Sequence, residues 1–379
     1  MSDSLDRRQA LTWLTSLGAL ATSPVRAQNA RSIVLGQSAP ITGPAAQLGL
    51  QMNQGARLYF DALNAQGGVN GLTVDLRLLD DGYEPDRCKA NTEAFIRDDV
   101  FALFGYVGTP TTLAALPLAN EHRVPLFGPF TGAQALRDPF SRYVIHVRAS
   151  YFDETALIVR QLTGLGLKKI AVFRQNDSYG QAGYDGVKRA LAKAGLEPVA
   201  VGLVERNSVD VAAAVQAITA AKPDAVVQIS AYKSCAAFIR AARKAGYGGT
   251  FYNLSFVGTQ ALADELGKEG NGVMVSQVMP FPFNTTTGIA RDYLDAIKHS
   301  NGKHQANYSG MEGYVAARVF AEGLRRTARP ATREGFITAI EGMQRLDLGG
   351  FAVSYGPRNH VASSLVDLTM ITEDGRVRR

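Results

Sequence analysis

A chain of 379 residues that is 46% hydrophobic and 20% charged exceeds one comfortable core and carries enough apolar material for two. Its formal charge is +6, falling to +5 if residues 1–27 (Arg7, Arg8 and Arg26 against Asp3 and Asp6) are removed. The remaining basic residues form short, separated clusters such as Lys168-Lys169 and Arg325-Arg326, which reads as a solvated surface and excludes nucleic acid as the partner.

The chain opens with an export signal: Arg7 and Arg8 form a basic start, LTWLTSLGAL (11–20) is the apolar stretch, and Val25-Arg26-Ala27 offers small residues before a cut, so the mature protein begins near Gln28. Arg7-Arg8 followed by Leu11 resembles a twin-arginine signal, although Asp6 and Ala10 depart from that pattern, and an ordinary secretory signal stays open. Ten residues are too short to span a membrane, and no later run approaches the roughly 20 needed, so a soluble exported product is expected.

From Ile33 onward apolar strands alternate with amphipathic helices. The spacing predicts a strand at 33–39, a helix over about 47–66 with Gly55, Leu58, Tyr59, Ala62 and Leu63 on one face, and strands near 72–79, 101–105 and 124–127. After a strand at 143–147 the rhythm repeats: helix 153–165, strand 169–174, helix 180–194, strand 198–204, helix 210–221, strand 224–229, helix 233–245, strand 250–254. MPFPFNTTTG (279–288) breaks the pattern, three helical stretches follow, and strands near 350–355 and 364–371 close the chain. This is the order of parallel βαβ units, and the predicted fold is α/β, with two doubly wound parallel-sheet lobes. Cys88 and Cys235 share helix faces with apolar neighbours in different lobes, so both are expected as small core residues with no disulfide between them.

The stretch FGYVGTPTTLAALPLANEHRVPLFGPFTG (104–132) has two short apolar runs, each stopping at small or hydroxylated residues. Thr109 reads as an N-cap and Pro110 as the first helical residue, which would aim backbone N–H groups and the positive end of a helix dipole at the sheet edge, a setting that suits a carboxylate. The five histidines, His122, His146, His299, His304 and His360, fall in no metal-ligand spacing and beside no evident nucleophile. The chain also has no G-x-x-x-x-G-K-[ST] loop, and G-x-G-x-x-G spacing is missing after the first strand. No catalytic residue, metal or cofactor is expected.

SAPITGPAAQLG (38–49), YFDALNAQGGVNG (59–71), LLDDGYEPDRC (78–88), GYVGTPTT (105–112), VPLFGPFTG (124–132) and AVFRQNDSYGQAG (171–183) together resemble the type I periplasmic binding proteins of ABC importers, in the branched-chain amino-acid-binding (leucine/isoleucine/valine) family. The resemblance spans nearly the whole mature chain. It implies three hinge crossings, near Val147-Arg148, Val278-Met279 and Leu346-Asp347, so that lobe one is 28–147 plus 279–346 and lobe two is 148–278 plus 347–379. It also implies a monomeric periplasmic protein that closes on a small molecule and presents it to an ABC permease in the inner membrane; a sensor kinase or chemoreceptor reading the closed form is the alternative.

Carried over by position, the carboxylate grip falls on Thr109 and on the backbone of Phe130, Thr131 and Gly132, while Tyr179 and Tyr232 match positions whose aromatic rings cover the ligand, or else anchor loops. Amino-acid binders of the family place an acidic residue where this chain has Ser255. Enclosing an ammonium without an opposed charge costs several kcal/mol. Asp153 and Asp177 are alternative sources of that charge, or else helix caps. Tyr106, Tyr151 and Tyr308 add to the aromatic density of the cleft, and Arg148 offers either a bidentate partner for a carboxylate or a hinge salt bridge. The expected ligand is therefore an aromatic or branched organic acid in preference to an α-amino acid.

Overall fold

The computed structural model describes residues 32–300, 302 and 304–379; the expected export signal lies outside the described residues. In chain order the strands are β1 (Ser32–Ala39), β2 (Thr73–Asp80), β3 (Ala102–Phe104), β4 (Leu126–Phe127), β5 (Val144–Ile145), β6 (Ile170–Gln175), β7 (Val201–Val204), β8 (Ala225–Ile229), β9 (Thr250–Asn253), β10 (Met274–Gln277), β11 (Leu346–Asp347), β12 (Ala352–Val353), β13 (Asp367–Ile371) and β14 (Val377–Arg378). The α-helices are α1 (Ala46–Ala65), α2 (Pro85–Arg97), α3 (Thr109–Glu121), α4 (Tyr151–Gly164), α5 (Ser178–Ala192), α6 (Ala212–Ala220), α7 (Tyr232–Lys244), α8 (Thr259–Leu266), α9 (Gly288–His299), α10 (Tyr308–Arg326) and α11 (Arg333–Glu341).

Two sheets repeat one plan. The first runs β2-β1-β3-β4-β5, all parallel. The second contains β7-β6-β8-β9-β10 in the same relative order, also parallel, and ends in the antiparallel strands β13 and β14. In each sheet the order reverses beside the first strand, which opens a crevice at the carboxyl ends of the strands, where open α/β sheets hold ligands.

Both faces of the first sheet are covered. On one side Phe60 of α1 and Phe320 of α10 pack edge-on against Phe104, at centroid distances of 5.5 and 6.0 Å. On the other, Cys88 and Phe95 of α2 and Ala115 and Ala119 of α3 form a second apolar layer. Cys235 is buried in the core of the other sheet, and both cysteines are free thiols.

The chain leaves the first sheet after β5, returns after β10, and crosses a third time farther along than the sequence suggested. Residues 346–362 do not belong with the second lobe: β11 pairs β12, the Tyr355 N–H donates to Met343 O (2.8 Å), the His146 N–H donates to His360 O (2.7 Å), and the Ala362 N–H donates to His146 O (3.0 Å). These bonds fasten the segment beside β5, and burial of Leu348, Phe351 and Val353 holds it there. The passage to β13 therefore follows Ala362. Within the expected closing strand at 350–355 only Ala352–Val353 is a strand, and β10 went unrecognised because its four residues directly precede the break at 279.

Candidate functional site

The start of α3 sits at the carboxyl edge of the first sheet. Gly108 is its N-cap, with φ +104, and Thr109 is the first helical residue, so the helix begins one residue earlier than expected from Thr109 as N-cap and Pro110 as first helical residue. The Thr109 side chain therefore does not cap the helix; its hydroxyl is 2.7 Å from the hydroxyl of Thr131, which follows β4. Thr111 and Thr112 turn back to the Val107 and Gly108 carbonyls. Thr109 and Thr131 thus mark a hydroxylated edge beside a helix start that no side chain caps.

Gly132 accepts the Tyr151 N–H through its carbonyl at 2.8 Å. A Cβ at Gly132 would lie 2.5 Å from Tyr151 Cδ1 and 2.7 Å from its N, so only glycine lets α4 begin this close to the strand end. The Tyr151 hydroxyl is directed towards Thr131 and the Gly132 N–H without completing a hydrogen bond, and the Tyr179 hydroxyl is likewise buried without a partner. Burial drives both phenol pKa values upward.

The rings link the two lobes. Tyr179 lies 5.4 Å from Tyr151 and 4.6 Å from Phe256, which in turn lies 5.6 Å from Phe130 and 5.8 Å from Tyr83. Phe256 and Tyr83 were not singled out in the sequence, although Tyr83 falls within the motif LLDDGYEPDRC (78–88) and Phe256 follows Ser255 directly. Phe256 fills the crevice, and the lobes are shut against each other at its mouth: Arg206 pairs with Glu84 at 2.9 Å, Asn207 donates to Gly82 O (3.1 Å) and Glu84 Oε1 (2.7 Å), and Gln175 Nε2 donates to the Tyr83 hydroxyl (3.2 Å).

Tyr106 is a correction. Its hydroxyl lies 3.0 Å from Thr92 Oγ1, and its ring belongs to the Cys88–Phe95 layer beneath α2 and α3, apart from the ring cluster. Tyr232 also lies apart from the ring cluster; its hydroxyl faces the Gln47 backbone at the start of α1 and stands near Glu265 of α8.

Arg148 is fully buried and is committed to protein groups. Its guanidinium lies over the Phe130 ring at 4.9 Å, 3.4 Å from Glu154 Oε1 and 3.6 Å from Glu312 Oε1, and it donates to the Ser255 hydroxyl. Glu154 also accepts the Ser255 N–H (2.8 Å), the Ser255 hydroxyl (3.0 Å) and the Ser276 hydroxyl (2.6 Å). Although burial opposes its charge, Glu312 and Glu154 hold the Arg148 pKa above the ordinary value. The Glu312 carboxyl is pushed up to about 7, because burial outweighs the attraction of Arg148 and Glu154 adds repulsion.

The charge missing at Ser255 thus comes from neither expected aspartate: two other carboxylates reach the region, Glu154 from the first turn of α4 and Glu312 from α10. Asp153 and Asp177 are caps. Asp153 completes a capping box with Ser150, and Asp177 accepts the Tyr179 and Gly180 N–H groups. Phe130, Ser255, Gln277, Val278, Met279, Tyr308, Ser309 and Glu312 line a recess with room for about 10 Å³. Among the described residues no group of three or more His, Cys, Asp or Glu is placed to hold a metal ion, and no helix is long and apolar enough to cross a membrane.

Residues 32–376 match the family described as "Periplasmic binding protein". The chain is 34% identical to a possible leucine/isoleucine/valine-binding protein from Rhodopirellula baltica SH 1, with a TM-score of 0.88 over 92% of this chain and 96% of that one. It is 31% identical to a substrate-binding periplasmic protein from Ralstonia solanacearum, with a TM-score of 0.86 over 91% and 99% of the two chains. A Leu/Ile/Val-binding protein homolog 8 from Brucella abortus (strain 2308) is 24% identical, covering 96% of this chain and 93% of its own length.

Proposed function

The chain belongs to the periplasmic binding protein family, and from that premise we propose that it captures a small carboxylate-bearing solute between its lobes in the periplasm and delivers it to an ABC permease of the inner membrane. The observation that carries this reading is the edge formed by the uncapped start of α3, the Thr109–Thr131 hydroxyl pair and Gly132, beside the buried, unpartnered hydroxyl of Tyr151, whose ring lies 5.4 Å from that of Tyr179. Helix-start N–H groups and hydroxyls donate to an anion, and enclosure strengthens each bond. Lobe one supplies the grip, and lobe two brings down Tyr179 and Phe256.

The body of the ligand is an aromatic or branched apolar group. Tyr83, Phe130, Tyr179 and Phe256 wall the crevice with rings 4.6–5.8 Å apart, and a flat ligand enters as Phe256 and the lobes give way. An organic acid suits the site better than an α-amino acid, because both nearby carboxylates face Arg148 and Glu154 has three further protein donors. An ammonium would compete with that guanidinium. Affinity of micromolar order, about −8 kcal/mol, is expected.

The test is a thermal-shift panel on protein unfolded and refolded to strip bound solute, comparing aromatic acids, aliphatic acids and amino acids. Stabilisation by benzoate-like or branched acids supports the reading. Strong stabilisation by leucine or valine, with none by those acids, overturns it.

A further inference from the structure

Beyond Phe130 the crevice ends in the recess beside Glu312, and its polar groups are unevenly served. Arg148 Nε and Nη1 and the Tyr308 hydroxyl are buried and have no hydrogen-bond partner. Glu312 Oε1 stands 3.6 Å from Arg148 Nη1, an ion pair too long for a hydrogen bond. Glu312 and Tyr308 line the recess, while Arg148, outside its lining, stands behind the Glu312 carboxylate.

The chemistry of that volume selects its occupant. An ammonium would be drawn to Glu312 but repelled by Arg148 behind it, and with no lone pair it cannot accept from the Tyr308 hydroxyl. A carboxylate would accept from Tyr308 but be repelled by both Glu312 and Glu154. A hydroxyl donates to Glu312 and accepts from the unpartnered Tyr308 hydroxyl without adding charge, and about 10 Å³ is the space of one such small group.

Resting on the carboxylate reading above, we propose that the Glu312–Tyr308 recess binds a neutral hydroxyl at the far end of the ligand, so that the preferred solutes are carboxylates bearing a hydroxyl remote from the acid group. Glu312 and Tyr308 are then specificity-determining residues, distinct from the Thr109–Gly132 grip.

Isothermal titration of refolded protein with matched pairs tests this: phenylacetate against 4-hydroxyphenylacetate, 3-phenylpropanoate against 3-(4-hydroxyphenyl)propanoate, and hexanoate against 6-hydroxyhexanoate. In at least one pair the hydroxylated member should bind about tenfold or more tightly, and Glu312→Leu should cut that ratio to below about threefold. Should Glu312→Leu fail to fold, Tyr308→Phe, which removes one oxygen, should lower the same ratio. Equal affinities within every pair, or a hydroxyl preference untouched by both substitutions, would overturn the inference while leaving the carboxylate grip standing. Absence of binding by all six acids would overturn the grip and this inference with it.

Discussion

Arg148 and Glu312 meet at 3.6 Å, one at the point where the chain leaves the first sheet and the other on a helix that stays with it. The same guanidinium reaches Glu154 and Ser255 of the second lobe. A single cation therefore ties the lobes together from inside, and the cluster is costly to break because both carboxylates are buried.

Arg148→Met should lower the unfolding free energy by about 3–5 kcal/mol, since it strands two buried carboxylates. Adding Glu154→Gln and Glu312→Gln should recover part of that loss. Urea unfolding midpoints measure both; a single variant as stable as the parent would show that the cluster contributes nothing.

Stability should depend on pH through Glu312. Its folded value of about 7 lies above the ordinary 4.5, so the folded protein holds the proton more tightly than the unfolded chain does. The stabilisation from protonating it is fully present below about 4.5 and is lost as pH rises through about 7. Between pH 5 and pH 8 the parent should lose stability relative to Glu312→Gln, on the order of 1 kcal/mol or more. Parallel pH profiles for the two proteins would contradict this. Asp81, also raised, to about 6, is common to both and cancels.

Thr109→Ala should weaken binding of whichever acid the thermal-shift panel identifies by roughly 10- to 150-fold, the worth of one hydrogen bond to a charged group. Unchanged affinity by titration calorimetry would remove Thr109 from the grip.

Gly132→Ala should cost more than an exposed substitution, because its methyl would be driven into the Tyr151 ring and backbone at 2.5–2.7 Å. Both a lower melting temperature and weaker acid binding are expected, of the order of 1–3 kcal/mol in stability. A variant that melts like the parent would mean that α4 shifts freely at this contact.

At the mouth, Arg206→Glu should set like charges against Glu84 and Asp177, now 2.9 and 3.5 Å from Arg206. The pairs are partly exposed, so an effect of only a few-fold on affinity is expected, shrinking at high salt. Small-angle scattering should show a larger radius of gyration. Identical scattering from both proteins would show that the latch does not hold the lobes shut.

The two sheets were legible because their central strands are unbroken apolar runs separated by amphipathic helices, and Thr109, Thr131 and Gly132 were legible as the residues at which those runs stop. Tyr106 misled because Gly105, with φ +62, shifts the alternation: Leu103 and Tyr106 face one layer, Phe104 and Val107 the other. Glu154 resembles an ordinary acid in a first helical turn and Glu312 an ordinary polar residue early in a helix. Only tertiary packing carries them to Arg148, across 6 and 164 residues of chain. The third crossing was hidden for a similar reason, since the bonds that hold 346–362 to β5 join residues more than 200 positions apart.

Tyr83 leans over Gly108 so closely that a Cβ there would strike its ring, and it does so from a loop, with a left-handed backbone (φ +65) that a bulky residue adopts at a cost. The two positions therefore have unequal evolutionary freedom. Exchanging the aromatic roof for asparagine or glycine would relieve backbone strain and enlarge the chamber in one step, while the glycine beneath it is locked. Trimming that one loop side chain therefore opens room above Gly108 while both sheets stay as they are.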